Sequence, residues 1–338
     1  MNLGIRSTCA SRARRLAQTC AIAVAGLVGM LHGGAWAQTY PERPIRLVVP
    51  WPAGGITDSA GRLFAQRLAE RMGTPVVVEN KAGAAGTIGA EQVANAAPDG
   101  YTLLLASAET HAIAQHMRAK MPYDPQRQFV AIAPFAVNPF AIVSNAGFAP
   151  RDVAALIEAA RAAPGRITYS SAGLGSTSQL AMEIFRSHAG IDLLHVPFQG
   201  QAPAMVSLLG GQTDLQMLPA GSAASQLKAG KLRVFAVTTR ERYFGLPDVP
   251  TLRELGHPEM DIANWFGIVA PAGLPGAVMQ RLVADTGLIA RAEETRQALR
   301  ALGVDSIAPM DPSQFATFMI AESERWGAAI RASGLKPQ

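Results

Sequence analysis

Cysteine is nearly missing from this 338-residue chain, and the two that occur, Cys9 and Cys20, both fall within its first 37 residues. The rest of the chain has no thiol, no disulfide and no cysteine with which to hold a metal. Its stability must come from a packed core, and roughly 300 residues can bury one, organised as two domains. Catalytic motifs are equally scarce. There is no H-E-x-x-H and no G-x-S-x-G elbow. A Walker A loop fails at Gly230-Lys231, which Leu232 follows, with Ser225 where a glycine is needed. Ser170–Ser178 (SSAGLGSTS) offers only a G-x-G-x-x-S near miss to a dinucleotide fingerprint. His111 and His116 are off the i,i+4 spacing that a helical metal pair uses. No internal repeat or low-complexity linker stands out. The reading is of a chain with no cofactor, no metal and no catalytic residue.

Acid is absent from residues 1–37. Arg6, Arg12, Arg14 and Arg15 precede an apolar run, Cys20–Leu31, and then Ala35-Trp36-Ala37. The run is short for a transmembrane helix. The pattern is that of a secretion signal cleaved after residue 37, and it directs the chain to the periplasm. Without those four arginines the 30 basic residues become 26, against 25 acidic ones. So small a net charge leaves no electrostatic footprint for nucleic acid.

What is present is an alternation of short apolar runs with helical spacing. Strands are expected at 45–49, 75–79, 101–106, 140–144, 167–171, 192–196, 213–218, 232–238 and 262–270, with a short one near 305–307. Helices are expected at 58–72, 87–97, 151–163, 177–189, 202–209, 222–229, 278–292, 294–302 and 312–333. Apolar strands separated by helices imply an α/β fold with a parallel sheet covered on both faces. The pattern restarts near Phe140. That suggests two lobes, 38–138 plus 261–338 and 139–260, with strands crossing between them near Phe140 and Trp265.

Four strands run into small, hydroxyl-rich loops that open helices: Ala53–Asp58 (AGGITD), Ser107–Thr110 (SAET), Ser171–Ser178 (SAGLGSTS) and Pro219–Ser222 (PAGS). Ligands of open α/β sheets lie beyond the carboxyl ends of the strands. Helix N-termini there offer unpaired N–H groups and partial positive charge, enough to hold an anion without lysine or arginine. One such loop is no more than a helix cap; four of them argue for a shared anion site.

The blocks IRLVVPWPAGGITDSAGRLFAQRL, PVVVENKAGAAGTIGAEQVANAAPDGYTLLL, MPYDP, HVPFQGQAPAMVSLLGGQTDL, LKAGKLRVFAVTT, LPDVPTLRELG and WFGIVAPAGLP follow one another in order. Together they resemble the substrate-binding proteins of tripartite tricarboxylate transporters, the Bug receptors. The resemblance implies a two-lobed periplasmic-binding-protein fold of the Venus-flytrap kind, type II-like, with two crossover strands. It implies a monomer that binds a small organic carboxylate between its lobes, through one loop from each and ordered water, and delivers it to membrane transporter subunits. By position the first loop contributes Gly54, Gly55, Thr57 and Asp58, and the second Ala172, Gly173, Ser176 and Thr177; Ser107, Thr110 and Gln199 are added beside them. Trp51 is expected at the cleft and Trp265-Phe266 at the crossover. Asp58 has two readings: acceptor for a bound water, hydroxyl or amine, or a cap of the helix ending near Gly73.

Two positions depart from the family pattern. The chain reads Gln216-Met217-Leu218-Pro219 where relatives carry a polar pair, and Gln179 where histidine is common. Both changes are expected to make the distal pocket more apolar or otherwise different, which argues against a citrate-like triacid and leaves room for a monocarboxylate with an apolar or aromatic body. Two alternatives stand beside the transport reading: a ligand-binding input to a signalling system, and an exported hydrolase using Ser176 or Ser222 with His195.

Overall fold

The computed structural model describes residues 40–332 and 334–337; the expected secretion signal, 1–37, lies outside the described residues. Strand β1 (Ile45–Val49) is buried at every position but Arg46, as a strand covered on both faces should be. Helix α1 (Ile56–Met72) stops at Gly73, whose left-handed backbone (φ 66°) returns its N–H to Ala69. Strand β2 (Val76–Asn80), helix α2 (Thr87–Ala94) and the fully buried β3 (Thr102–Ser107) complete the first run. A π-helical turn, Glu109–Ile113, then leads into the short α3 (Ala114–Met117).

Strand β4 spans Phe129–Asn145, 17 residues where the sequence suggested only 140–144. Pro134 and Pro139 hid its first part, since proline cannot donate to a ladder. The structure accommodates Pro134 beside a register shift, a bulge between Pro134 and Ala136. Beyond β4 come α4 (Val153–Ala162), β5 (Thr168–Ser171), α5 (Thr177–Ala189), β6 (Leu194–Pro197), α6 (Gln201–Leu209), β7 (Leu215–Pro219), α7 (Ala220–Lys228) and β8 (Leu232–Val237). The chain then returns through β9 (Ala263–Pro271), α8 (Gly276–Arg291), α9 (Glu293–Ala301), the short β10 (Asp305–Ser306) and α10 (Pro312–Ala332).

The strand order is β2-β1-β3-β9-β4-β7-β5-β6, with β8 and β10 also on β4. The expected parallel pairing holds only at the two ends: β1 with β2 and β3, and β5 with β6 and β7. The middle is antiparallel, because β4 and β9 run against their neighbours. β4 changes partner along its length: Phe129–Pro139 pairs with β9, and Phe140–Ser144 pairs with β7. At that change Phe140 N–H donates to Thr238 Oγ1 at 3.0 Å, and Ile262 N–H donates to the Thr238 carbonyl at 3.1 Å. The two passages of chain therefore run side by side. Trp265 is buried beside them, edge-on to Phe315 and Phe318 of α10 at 5.7 and 5.6 Å, the packing expected of the crossover.

A cleft at the ends of four helices

A cleft of about 480 Å³ opens where β1, β5, β6 and β7 pass into their helices. One wall is the loop Trp51–Thr57. The other comes from Ala172, Ser176 and Ser178, from Gln199–Pro203, and from Pro219 and Ser222. Asn138 of β4, Asn264 of β9 and Glu109 lie between them. No lysine, arginine or histidine is among its lining residues, and Glu109 is the one charged side chain there.

The first wall is an uncapped helix start. α1 begins two residues earlier than its expected start, with Gly55 as its N-cap and no side chain accepting from its first turn. Ser59 is the first to donate within the helix, to Gly55 O at 3.0 Å. The N–H groups of Ile56 and Thr57 therefore have no acceptor inside α1. Gly54 makes the turn at φ 86°, and its N–H donates to Asp58 Oδ2 at 2.9 Å.

Asp58 itself is buried and does not line the cleft. Arg62 Nε donates to its Oδ2 and Asn80 Nδ2 to its Oδ1, both at 2.9 Å; Asn80 also donates to Trp51 O at 3.0 Å. Both readings of Asp58 need correction. It does not line the cleft, and the N-cap is Gly55. It braces the loop from behind. Burial alone would raise its carboxyl, but the Arg62 hydrogen bond, the Gly54 N–H, Asn80 and the Arg62 charge outweigh that and hold it below its ordinary value.

The second wall is built differently. Ser176 caps α5, accepting from Gln179 N–H at 3.3 Å and donating to Gly173 O at 2.7 Å. Ser178 Oγ accepts from Ala172 N–H at 3.1 Å, and Gln179 Oε1 from Gly175 N–H at 2.7 Å. Gln179 thus braces the loop and does not shape the pocket, and Gln216, Met217 and Leu218 are buried in β7; Pro219 alone of that run reaches the cleft. Gly173 sits at φ 124°, where an added Cβ would lie 3.0 Å from Phe198 O.

The first turn of α5 is already occupied. Thr177 donates to Glu109 Oε1 through its hydroxyl, and through its N–H at 3.3 Å. Asn264 Nδ2 donates to Oε1 at 3.0 Å and to Oε2 at 2.9 Å. Of the residues expected at the cleft, Thr177 is fully buried and Gly173 is partly exposed, and neither lines it. Ser107 and Thr110 are buried too: the Thr110 hydroxyl accepts from Ser107 N–H at 3.1 Å and donates to Ser107 O at 3.2 Å, below the cleft surface. Of the expected residues, Trp51, Gly54, Gly55, Thr57, Ala172, Ser176 and Gln199 line the cleft.

Two further helix starts reach the cleft: that of α7, from the expected Pro219–Ser222 loop, and that of α6, which the loop pattern did not include. α6 has Gly200 as N-cap and α7 has Pro219; neither has a side-chain cap. Gly200 N–H donates to Ala172 O at 3.1 Å, which ties the α6 loop to the second wall. Asn138 and Asn264 were missed because apolar strand patterns surround them, yet they pair directly across β4 and β9. Glu109 stood between the chosen Ser107 and Thr110. Its one visible signal was an acid at a strand end.

The serine–histidine alternative has no triad among the described residues. His195 Nε2 is 2.6 Å from Ser171 Oγ, its ring stacks on Tyr169 at 4.7 Å, and its Nδ1 faces Gln179 Nε2 at 3.5 Å rather than a carboxylate. Burial lowers the imidazole from its ordinary value.

Residues 60–335 match the model of the tripartite tricarboxylate transporter family receptor. The chain belongs to that receptor family. BugT of Bordetella pertussis is 34% identical over 318 residues, covering 93% of this chain and 95% of BugT. The solved structure of R. palustris Rpa4515 with adipate is 32% identical with a TM-score of 0.84, covering 88% of this chain and all (100%) of that one. MatC of Rhodopseudomonas palustris with bound malate is 31% identical with a TM-score of 0.80, over 86% and 100% of the two chains. Solved structures similar to this chain include periplasmic binding proteins; the receptor shares their mixed α/β fold with a curled central sheet and is a binding protein rather than an enzyme. Membership implies a periplasmic location.

Proposed function

We propose that this receptor binds a small organic carboxylate in the cleft and delivers it to membrane transporter subunits. The observation that carries this is the convergence of three helix N-termini without side-chain caps, at Gly55, Gly200 and Pro219, on one cleft with no cationic lining residue. Their free N–H groups and partial positive charges suit an anion. Each charge-assisted hydrogen bond contributes about 1.5–3 kcal/mol, so three or four of them account for micromolar affinity, about 8 kcal/mol. The adipate of Rpa4515 and the malate of MatC support a carboxylate as the ligand class.

In this reading Gly55 and Thr57 supply donors, Gly54 and Ala172 let the ligand approach the backbone, and Trp51, Ser176 and Gln199 complete the walls. Residues 1–37 form the export signal. The lobes are 38–138 with 261–338, and 139–260; the change of partner along β4 supports these limits. Calorimetric and thermal-shift screening of the purified protein against organic acids tests the assignment. A ligand at 100 times its Kd stabilises the fold by about 2.7 kcal/mol. Failure of every carboxylate to stabilise it would defeat the reading.

A further inference from the structure

We infer that Glu109 is the specificity-determining residue of the cleft and that the ligand joins its carboxylate to a protonated amine. This rests on the carboxylate reading above and narrows it. Glu109 is only 4% exposed, and no ion pair offsets it among the described residues. Each of its hydrogen-bonding neighbours donates to it. The donors are unevenly shared. Oε1 takes the Thr177 hydroxyl, the Thr177 N–H and Asn264, whereas Oε2 takes only the Asn264 amide that it shares with Oε1. Oε2 therefore keeps room for a further donor.

A second acceptor stands beside it. Asn138 is directly across the ladder from Asn264, so their side chains share a face of the sheet. Asn138 is 5% exposed, lines the cleft, and its buried Oδ1 has no hydrogen-bond partner. A buried acceptor without a donor costs free energy, and a bound amine relieves it. The opposite need appears on the loop walls. The buried Trp51 Nε1 and Gln201 Nε2 are donors without acceptors, and both residues line the cleft beside the open starts of α1 and α6. Donors on the walls and acceptors on the floor make two poles. A carboxylate fits the first and an ammonium group the second. A second carboxylate would face Glu109, and like charges in a partly dry cleft repel strongly.

Isothermal titration of the purified protein with two matched sets tests this: 6-aminohexanoate, hexanoate and adipate; and phenylalanine, 3-phenylpropanoate and benzylsuccinate. In wild type, the amino acid of at least one set binds tenfold or more tightly than its diacid. Glu109→Gln abolishes that preference, read as the ratio of amino-acid to diacid affinity within each set. Asn138→Leu, which leaves Glu109 and its donors in place, lowers the same ratio and serves if Glu109→Gln does not fold. A diacid that matches or exceeds the amino acid in both sets overturns the inference and leaves the carboxylate reading standing. An unchanged ratio in the variants overturns it too, and makes Glu109 a structural brace. If none of the six acids binds wild type, the carboxylate reading falls and this inference with it.

Discussion

The loops after β1 and after β5 share one plan of strand, glycine turn and helix start, and the protein uses them in opposite ways. At α1 the acid of the first turn, Asp58, looks backward to Gly54, Arg62 and Asn80, and the N–H groups of Ile56 and Thr57 are left open. At α5 the first turn is capped by Ser176 and filled by Glu109, a carboxylate 68 residues away in sequence. A helix N-terminus in a cleft is therefore a ligand site only where the rest of the chain leaves it empty. The family fold supplies the positions; packing from distant segments decides which remain free.

The largest expected separation of the two loops is along the pH axis. The segment carrying Glu109 continues into His111, which is fully buried against Phe129, and burial pushes its imidazole down to about 3. An unfolded histidine takes up a proton near pH 6.5 that the folded one refuses until about 3, so stability falls as pH drops below 6.5. The slope approaches about 1.4 kcal/mol per pH unit. Asp58 acts in a lower window: its stabilisation is complete above pH 3.8 and is lost as pH falls through its depressed value. Urea unfolding from pH 7 to 4 should show a steep loss in wild type and a shallower one in His111→Gln. Equal slopes in the two proteins would contradict this assignment.

Next in size is Asp58→Ala. Arg62 is half-exposed, so its ion pair adds little; the bonds to Gly54 and Asn80 carry the effect. Their loss should cost about 2–3 kcal/mol, read from urea midpoints. Carboxylate affinity should fall with it, because Asp58 sets the Gly54 turn. Unchanged affinity would show that the first wall holds its shape without the brace.

The glycines of the two turns differ from each other, and Gly54 gives the smallest effect of all. Gly54→Ala meets no atom within 4 Å and suffers only its positive φ, about 1 kcal/mol. Gly173→Ala combines an unfavourable φ with the close Phe198 carbonyl and should cost about 2–3 kcal/mol. Thermal melts of the two variants give the order directly, and the reverse order would contradict the self-bonded description of the second loop.

Much of this architecture was legible in the sequence where the cause is local. The expected limits of α5 match those observed, because Ser176 caps its start and Gly190 stops it in the left-handed region. The first part of β4 was not legible, because Pro134 and Pro139 read as breaks until the antiparallel partner β9 is in place. The cleft shows the same division. The glycine and hydroxyl loops could be named from their composition. Which of their side chains turn inward could not, because Asp58 answers to Asn80, and Thr177 to Glu109, across long stretches of chain. Asn138 and Asn264 become a pair only through strand register.

The absence of lysine and arginine from the cleft lining has a consequence for the medium in which the receptor works. A site built on full cationic side chains attracts its anion over distance, and that attraction is damped as ionic strength rises. Main-chain donors and helix ends act at contact, with ions excluded from between the partners. Such a receptor gives up long-range capture and keeps its grip when external salt changes, which suits a compartment whose ionic content follows the surroundings of the cell.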